Sequence, residues 1–234
     1  MTTSEDPYIK NLYRVAFEGI RRQLPQQSTR ILEVGSGSVL SREYVPTAMF
    51  TDVEFQIGLD AVLRSEQLPI RTSSLDAILL KDSFHHIPDI EAFLDEAFRA
   101  LRPLGRVIVF DPYWGALARF VYRFLHQERF DTRTADWTFR STSPWDSNQA
   151  LSYILLRRDR DKFTKRFPGF SITETGPLIG PSFLLSGGVS RRTRISGRLL
   201  TRLLTWELRQ SQWFDHFRFF HVFVLTKNTS GVSK

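Results

Sequence analysis

The segment Ile31-Leu32-Glu33-Val34-Gly35-Ser36-Gly37-Ser38 joins a short apolar run to two closely spaced glycines. Its first four residues have the length and composition of a buried strand. Glycine suits the end of such a strand, because a residue without a Cβ lets the backbone turn sharply and approach a ligand. A helix that begins at this turn would direct free N–H groups at a crevice. A plain strand-to-helix turn would have the same sequence, so the flanking chain must discriminate between the two.

Helical and strand-like patterns alternate around this segment. Residues 7–24 have apolar side chains at helical spacing, and residues 89–101 form an amphipathic pattern that Pro103 and Gly105 end. Further strands are predicted at 49–52, 55–60, 75–80 and 106–110. This alternation favours an α/β fold with a doubly wound, Rossmann-like and mostly parallel sheet.

Acidic residues stand at the ends of two predicted strands. Asp52 closes the second strand, 19 residues after Glu33. An acidic residue at about this distance typically accepts hydrogen bonds from ribose hydroxyls. Asp60 closes the third extended piece. Since ligands of such sheets lie at the carboxyl ends of the strands, both carboxylates are candidates for ligand contact.

Five motifs in this order resemble the class I S-adenosylmethionine-dependent methyltransferases, of the kind that act on small molecules. They are ILEVGSG at 31–37, the acidic strand ends, LPI with SLDAI at 68–78, DSFHHIPD at 82–89 and LRPLGRVIVFDP at 101–112. The resemblance covers residues 28–112. It departs from the family pattern at two places: Val39 replaces the third glycine of GxGxG, and the stretch between Asp52 and Asp60 is short.

The resemblance implies S-adenosylmethionine as the cofactor and assigns residues to each part of it. The set that would surround the methionine part is Glu33, Gly35, Ser36 and Gly37. Asp52 would bind the ribose, and Asp60 with the backbone of Ala61 would contact the adenine. Asp82 and Ser83 would line the site at the end of strand four. The shortened stretch leaves open that Asp60 serves the ribose instead.

Methyl transfer from a sulfonium is an in-line displacement, for which a base is useful when the acceptor is a hydroxyl. His85 follows strand four and is the predicted base, because histidine titrates near neutral pH. Asp111 closes strand five and would hold the imidazole in one tautomer, although a turn cap before Pro112 is the alternative. His86 is expected to pack between helix and sheet. Adjacent histidines should point in opposing directions, so no metal site is predicted.

Composition and charge exclude several classes of protein. There is no cysteine among the 234 residues, which rules out a disulfide scaffold, a thiolate metal site and a cysteine nucleophile, and fits a reducing compartment. Residues 113–234 hold 20 of the 32 basic residues, nine of the 25 acidic residues and all five tryptophans. This half could meet an acidic substrate, nucleic acid or anionic lipid. We expect a cytoplasmic protein, peripheral to a membrane if this half binds lipid.

We predict a single domain over residues 1–234, with a cofactor-binding half at 1–112. An aromatic-rich, helical cap or lid is predicted at 113–169, with helices at 116–127 and 147–165. The remaining part, 170–234, should contain the last strands. Strands at 170–175 and 217–227 are expected to pair antiparallel, an expectation that comes from the family. The Gly-Gly pair within 184–190 indicates a tight loop.

Residues 191–214 interleave leucines and Trp206 with arginines, a pattern typical of a basic amphipathic helix. Such a helix can lie in a lipid interface and make a peripheral contact with an anionic membrane. A helix packed on the sheet, with arginine stems reaching water, explains the pattern too and is favoured.

The leading interpretation is therefore methyl transfer to a small-molecule acceptor, with a hydrophobic or lipid-linked acceptor among the candidates. A nicotinamide-dependent reductase is disfavoured, because the chain has no YxxxK pair and no GxGxxG. An RNA methyltransferase would use the basic half, but no RNA-binding module is visible. A methyltransferase-like scaffold without catalysis remains an alternative, to which Val39 and the trimmed third strand lend support.

Overall fold

A computed structural model describes residues 6–37, 39–125, 128–141, 143, 146–188 and 193–229. The strands are β1 (Ile31–Val34), β2 (Ala48–Asp52), β3 (Ala61–Val62), β4 (Leu75–Lys81), β5 (Leu101–Pro112), β6 (Phe170–Glu174) and β7 (Phe220–Lys227). The helices are α1 (Pro7–Arg21), α2 (Ile90–Ala100), α3 (Ala116–Phe124), α4 (Leu151–Tyr153), α5 (Arg160–Arg166), α6 (Pro181–Ser186) and α7 (Gly197–Glu207). Short 3-10 helices cover Leu40–Glu43, Phe84–His86 and Gln212–Phe217.

All seven strands form one sheet in the order β3-β2-β1-β4-β5-β7-β6. The strands β1 to β5 run parallel, whereas β7 lies antiparallel to both β5 and β6. The order reverses between β1 and β4, which creates the crevice where ligands of doubly wound sheets bind. The predicted α/β class and the antiparallel C-terminal pair are therefore confirmed.

Each face of the sheet is covered by its own apolar core. In β4, Ile78 and Leu80 face the core that contains α2 and α4, while Ala77 and Leu79 face the core that contains α1 and α7. Successive strand residues point to opposite faces, so a strand buried on both sides must be apolar throughout. This explains the continuous run Ala77–Leu80.

Two predicted elements of the first half differ in the structure. Residues 55–60 form turns, and the third strand is only β3, Ala61–Val62. The short connection after Asp52 leaves no room for a longer strand. The helix expected after the glycine turn is a single 3-10 turn at Leu40–Glu43. The prediction that the N-terminus of an α-helix faces the crevice is therefore wrong.

The second half is more broken than its sequence pattern predicts. The helix predicted at 147–165 is divided into α4, a π-helical turn at Ile154–Arg158, and α5. The helix predicted at 191–214 is α7 followed by a 3-10 helix; positions 191–192, like 126–127 of the other predicted helix, lie outside the described residues. The loop predicted at 184–190 begins inside α6, which Gly187 caps with a φ of 73°, and its positions 189–190 lie outside the described residues.

Among the described residues, every helix is too short or too polar to span a bilayer.

Candidate active site

Gly35 and Gly37 turn the chain at the end of β1, and both have left-handed backbone angles, with φ of 71° and 53°. A Cβ at Gly35 would lie 2.5 Å from the Cβ of Ser83, so no side chain fits there. The Ser83 hydroxyl donates to the carbonyl of Val34 at 2.8 Å. Among the described residues, no atom lies within 4 Å of a Cβ placed on Gly37. The turn is therefore closed toward β4 and open toward solvent, where a ligand could approach the backbone.

Glu33 and Ser36 lie beneath this turn and brace it. One carboxylate oxygen of Glu33 accepts a hydrogen bond from Ser41 at 2.7 Å, and the other is buried without a partner. Burial raises the pKa of Glu33 to about 7. The Ser36 hydroxyl accepts from the backbone N–H of Thr51 at 3.1 Å, which joins β1 to β2. Both residues support the turn from below, and neither lines the cleft above it.

Asp52 lies at the end of β2 with its carboxylate toward the glycine turn. One oxygen accepts from the N–H of Gly37 at 2.9 Å, and the other accepts from the N–H of Val53 at 2.7 Å. Asp52 therefore holds the turn in its open form. It also lines a cleft of about 510 Å³ at the carboxyl ends of β1, β2 and β4, the first cleft. Its lining is Val34, Gly35, Gly37, Asp52, Val53, Glu54, Gln56, Leu63, Arg64, Ser65, Glu66, Asp82, Ser83, His86, Ile87, Pro88, Ser141 and Ser143.

The structure does not place Asp60 and Ala61 in the first cleft. The Asp60 carboxylate accepts from the N–H of Phe50 at 2.8 Å and from the guanidinium of Arg42 at 3.1 Å. Those bonds hold the carboxylate at the edge of the sheet. The cleft is lined instead by Leu63–Glu66, which follow β3. Asp60 and Ala61 thus lie outside this lining, because β3 begins at Ala61 and not before Asp60, and their adenine contact stays a prediction.

Asp82 follows β4 and has an unusual backbone, with a φ of 57°. Aspartate is among the few residues that adopt this region without a large penalty. Its N–H donates to the carbonyl of Phe110 at 2.7 Å. This conformation places Asp82 on the wall between the first cleft and a second cavity, while Ser83 lines the first cleft only.

The second cavity has a volume of about 420 Å³ and lies between α1, α3, α6 and the ends of β4 and β5. Its apolar lining is Leu12, Tyr13, Ala16, Phe110, Pro112, Val121, Tyr122, Leu125, Ile179, Phe183, Leu184, Phe219 and Phe220. Its polar lining is Lys81, Asp82, His85, His86, Glu128 and Gln149, gathered at one end. Most small-molecule sites combine an apolar wall with a few polar groups in this way. The two cavities share Asp82 and His86.

His85 and Asp111 form the predicted pair, and both are fully buried. His85 Nδ1 lies 2.8 Å from Asp111 Oδ1, and Ser152 donates to the other carboxylate oxygen at 2.8 Å. Burial alone would lower the pKa of His85, but the charge and hydrogen bond of Asp111, with help from Glu128, raise it to about 10. His85 is therefore protonated at neutral pH, and it has no free lone pair with which to act as a base.

Glu128 completes this cluster, and no sequence motif identified it. Its carboxylate lies 3.4 Å from His85 Nε2 and accepts from the Gln149 amide at 2.7 Å. Although burial opposes ionisation, these bonds lower the pKa of Glu128 to about 2. The His85 ring lies between the carboxylates of Asp111 and Glu128, and their negative charges stabilise its protonated form.

His86 is the histidine that the two cavities share. Its ring lies 4.3 Å from that of His85, and its Nδ1 is buried without a hydrogen-bond partner. Burial, and then the charge of His85, lower its pKa below 6.5, so His86 is neutral at pH 7. His86 was expected to pack between helix and sheet; the structure instead places it on the wall of both cavities.

The prediction that the adjacent histidines diverge is wrong as well. His85 and His86 lie on a 3-10 turn, and one donor atom each from the two histidines and Glu128 lie within 4.8 Å of one another. Such a spacing could hold a metal ion. The hydrogen bonds of His85 and Glu128 are nevertheless satisfied by Asp111 and Gln149 and require no ion.

Val39 lies where the family pattern has a glycine, and it has a φ of 49°. A β-branched residue in the left-handed region is strained. A Cβ on Gly58 would lie 2.9 Å from Val39 Cγ2, so the valine occupies space beside the shortened loop after β2. The glycine turn is thus retained while the helix that usually follows it is reduced.

Residues 32–109 match a family model described as a methyltransferase domain. The chain is 26% identical, over 123 residues, to the ubiquinone/menaquinone biosynthesis C-methyltransferase of Rickettsia felis. That alignment covers 42% of this chain, and the chain spans about half the length of this curated relative. The matched region contains the lining of the first cleft except Ser141 and Ser143, and it excludes most of the second cavity.

Two solved structures share the fold over almost the whole chain. One is an S-adenosylmethionine-dependent methyltransferase of Thermotoga maritima, with a TM-score of 0.56 and 16% identity, covering 95% of this chain and 91% of that one. The other is the YcgJ protein of Bacillus subtilis, with a TM-score of 0.54 and 15% identity, covering 94% and 100%. These similarities concern the fold, since the identities are low.

Proposed function

We propose that this chain, whose residues 32–109 match a methyltransferase-domain model, uses S-adenosylmethionine to methylate a small, largely apolar acceptor held in the second cavity. The observation that carries the proposal is the meeting of the two cavities at Asp82 and His86. A donor in one cavity and an acceptor in the other can approach only at that wall. In-line displacement requires this arrangement.

The first cleft fits the cofactor. Its glycine turn leaves backbone open at Gly37, and Asp52 and Ser83 offer polar groups at the ends of β2 and β4. Cofactors bind such sheets at this edge. When bound, S-adenosylmethionine supplies a methyl group on a positively charged sulfur. Leu63–Glu66, at the end of β3, are the residues that we assign to the adenine side.

The second cavity indicates the class of acceptor. Thirteen of its lining side chains are apolar or aromatic, and its polar groups lie together near His86. An acceptor with an apolar body and one polar end would bury the body and present the polar end to the cofactor. A hydrophobic or lipid-linked acceptor fits this description.

His86 is the group that we assign to proton removal. It is neutral at pH 7, and its Nε2 lies 4.0 Å from the Glu128 carboxylate, which would stabilise the imidazolium that forms. His86 would accept the acceptor's proton, while the bound cofactor would supply its methyl group to the acceptor atom and would be left as a neutral thioether. His85 is a positioning residue, because it holds Glu128 in place and keeps its own proton.

Two measurements test the proposal in sequence. Calorimetric titration with S-adenosylmethionine and S-adenosylhomocysteine should show saturable binding of both. Transfer of the radiolabelled methyl group to a panel of apolar phenols, amines and quinols should then give a product with at least one class. Absence of binding by either cofactor form would contradict the proposal and favour the non-catalytic scaffold. Binding without transfer to any apolar acceptor, together with transfer to RNA, would move the acceptor to another class.

A further inference from the structure

The helix α7 has two separate apolar stripes. Leu200 and Leu204 are buried where α7 packs on α1 and α6, as the sequence favoured. Leu199, Leu203 and Trp206 form the second stripe at helical spacing, turned away from this core. The Leu199 and Trp206 side chains are 58% and 49% exposed. Packing on α1 and α6 therefore accounts for only one side of the helix.

The outer stripe continues onto the 3-10 helix that follows α7. Phe214 is buried there, and its ring contacts those of Trp206, Trp213 and Phe217 at centroid distances of 5.4, 5.5 and 5.4 Å. Trp213 and Phe217 are 59% and 41% exposed. We call the outer stripe and the two exposed rings of the 3-10 helix the aromatic patch: Leu199, Leu203, Trp206, Trp213 and Phe217. Contiguous exposed apolar side chains of this kind mark interaction sites.

Arginines border the aromatic patch on one side. Arg198 and Arg202 are exposed one helical turn apart, Arg209 follows the helix, and none of the three pairs with an acidic residue in the described part of the chain. The acidic residues of the same segments are already engaged. Glu207 accepts hydrogen bonds from Ser182, and Asp215 pairs with Arg218. These three arginines therefore form a row of positive charge that no acidic side chain in the described part of the chain neutralises.

The patch is joined to the wall of the second cavity. The buried carboxylate of Glu207 accepts from the N–H groups of Gly180 and Ser182 and from the Ser182 hydroxyl, at 3.1, 2.6 and 2.6 Å. These bonds fix α7 to α6. Leu184 lines the cavity from α6 and is 38% exposed. The cavity therefore has a wall on α6, the helix to which α7 and its patch are joined by these hydrogen bonds.

We infer that the aromatic patch and its arginine row dock on the surface of an anionic lipid bilayer. Exposed tryptophan and leucine beside arginine is the composition of helices that lie in a membrane interface. The arginine stems extend along apolar surface while their charged ends meet lipid phosphates. Docking would bring the α6 wall to the bilayer, so that an amphiphilic acceptor enters from the lipid. Only this last step depends on the proposed function.

Other occupants fit the surface less well. A second copy of the chain on the same patch would place the arginine rows against each other, with like charges opposed. Nucleic acid would satisfy the arginines but would leave Leu199 and Trp213 without a partner. An anionic bilayer satisfies both parts at once.

The test is flotation of the full chain with vesicles, without cofactor or acceptor. One set of vesicles is phosphatidylcholine, and the other is phosphatidylcholine with about a quarter phosphatidylglycerol. Each basic residue near an anionic surface contributes about fivefold in affinity, so R198E/R202E should weaken binding by roughly 25-fold or more. L199S/W206S should weaken binding to a similar degree. The matched control is R71E/K165E, which changes the charge equally at exposed residues on other elements.

The expected result is binding to anionic vesicles that salt reverses and that the control retains. Absence of flotation at low salt, or an equal loss in the control, overturns the inference. If the wild type is a dimer and R198E/R202E or L199S/W206S makes it a monomer, the patch mediates self-association. That result also overturns the inference. Cofactor titration of each variant shows whether the variant is folded and whether its first cleft still binds S-adenosylmethionine. A failure of the proposed function would therefore be detected separately from a failure to bind vesicles.

Discussion

The first cleft and the second cavity are built from the chain in different ways. The first cleft is made of turns that directly follow β1, β2, β3 and β4, with Ser141 and Ser143 added from the second half. The second cavity draws on α1, α3, α6 and β7, from Leu12 to Phe220. A site built from successive strand ends can be recognised in the sequence as a series of short motifs, whereas a site built from distant elements has no such motif. We therefore expect changes in the first cleft to affect cofactor binding, and changes in the second cavity to affect the acceptor and the rate.

The largest effect is expected for Gly35→Val. The new side chain would collide with Ser83 in a backbone conformation that valine avoids, at a cost of about 3 kcal/mol in the free energy of unfolding. Calorimetry should detect no binding of S-adenosylmethionine. The control is Gly176→Ala, where the structure has open space and the backbone is ordinary. Normal cofactor affinity in Gly35→Val would mean that the ligand does not approach this turn.

His86→Asn should lower kcat about 100-fold, or about 2.7 kcal/mol in activation free energy, with little effect on cofactor affinity. The rate of the wild type should rise with pH and level off below 6.5, because the pKa of His86 is lowered. His85→Asn provides the contrast. It leaves the Asp111 and Glu128 carboxylates without their shared cation, so we expect it to destabilise the fold by about 3–5 kcal/mol. A full rate in His86→Asn would remove His86 from the reaction.

Ser152→Ala should lower the free energy of unfolding by about 2 kcal/mol. The hydroxyl donates to the buried Asp111 carboxylate, and alanine leaves that oxygen without a partner. Denaturant titration would measure the change. Ser147→Ala is the comparison, since its hydrogen bond to Glu128 is longer, 3.3 Å, and Gln149 already supports that carboxylate. An equal loss of free energy of unfolding in both variants would show that the hydrogen bond to Asp111 contributes no more to stability than the bond to Glu128.

The smallest effect at neutral pH is expected for Glu33→Gln, and it should grow with pH. Folding raises the pKa of Glu33 from 4.5 to about 7, so the folded state favours the protonated acid. The stability that the protonated Glu33 adds to the folded state is fully present below pH 4.5 and is lost as the pH rises through 7. Above pH 7 the glutamine variant should therefore be more stable than the wild type. Thermal melts between pH 5 and 8.5 would measure this, and parallel curves for the two proteins would contradict it.

The residues assigned to the cofactor from the sequence meet at one cleft where the side chain and the backbone belong to the same turn. The glycines at 35 and 37, Asp52, Asp82 and Ser83 all lie on the first cleft. Asp60 lies outside this cleft, because the third strand begins a few residues later than the sequence pattern predicts and the carboxylate is bonded to Arg42. Short strands have little pattern from which to set their limits, and a one-residue slip reverses every side chain.

The succession of strands and helices in the first half, the glycine turn and the acidic end of β2 were determined by the sequence alone, because local hydrophobic periodicity and residues with special backbone angles encode them. The roles of the two histidines were decided only by the tertiary structure. Glu128 and Asp111 are distant in sequence from each other, and they meet at His85 only when the second half folds over β4 and β5. His85 keeps its proton because two carboxylates flank it, and the neighbouring His86 is neutral. Both protonation states depend on burial and on nearby charges, which only the whole fold brings together.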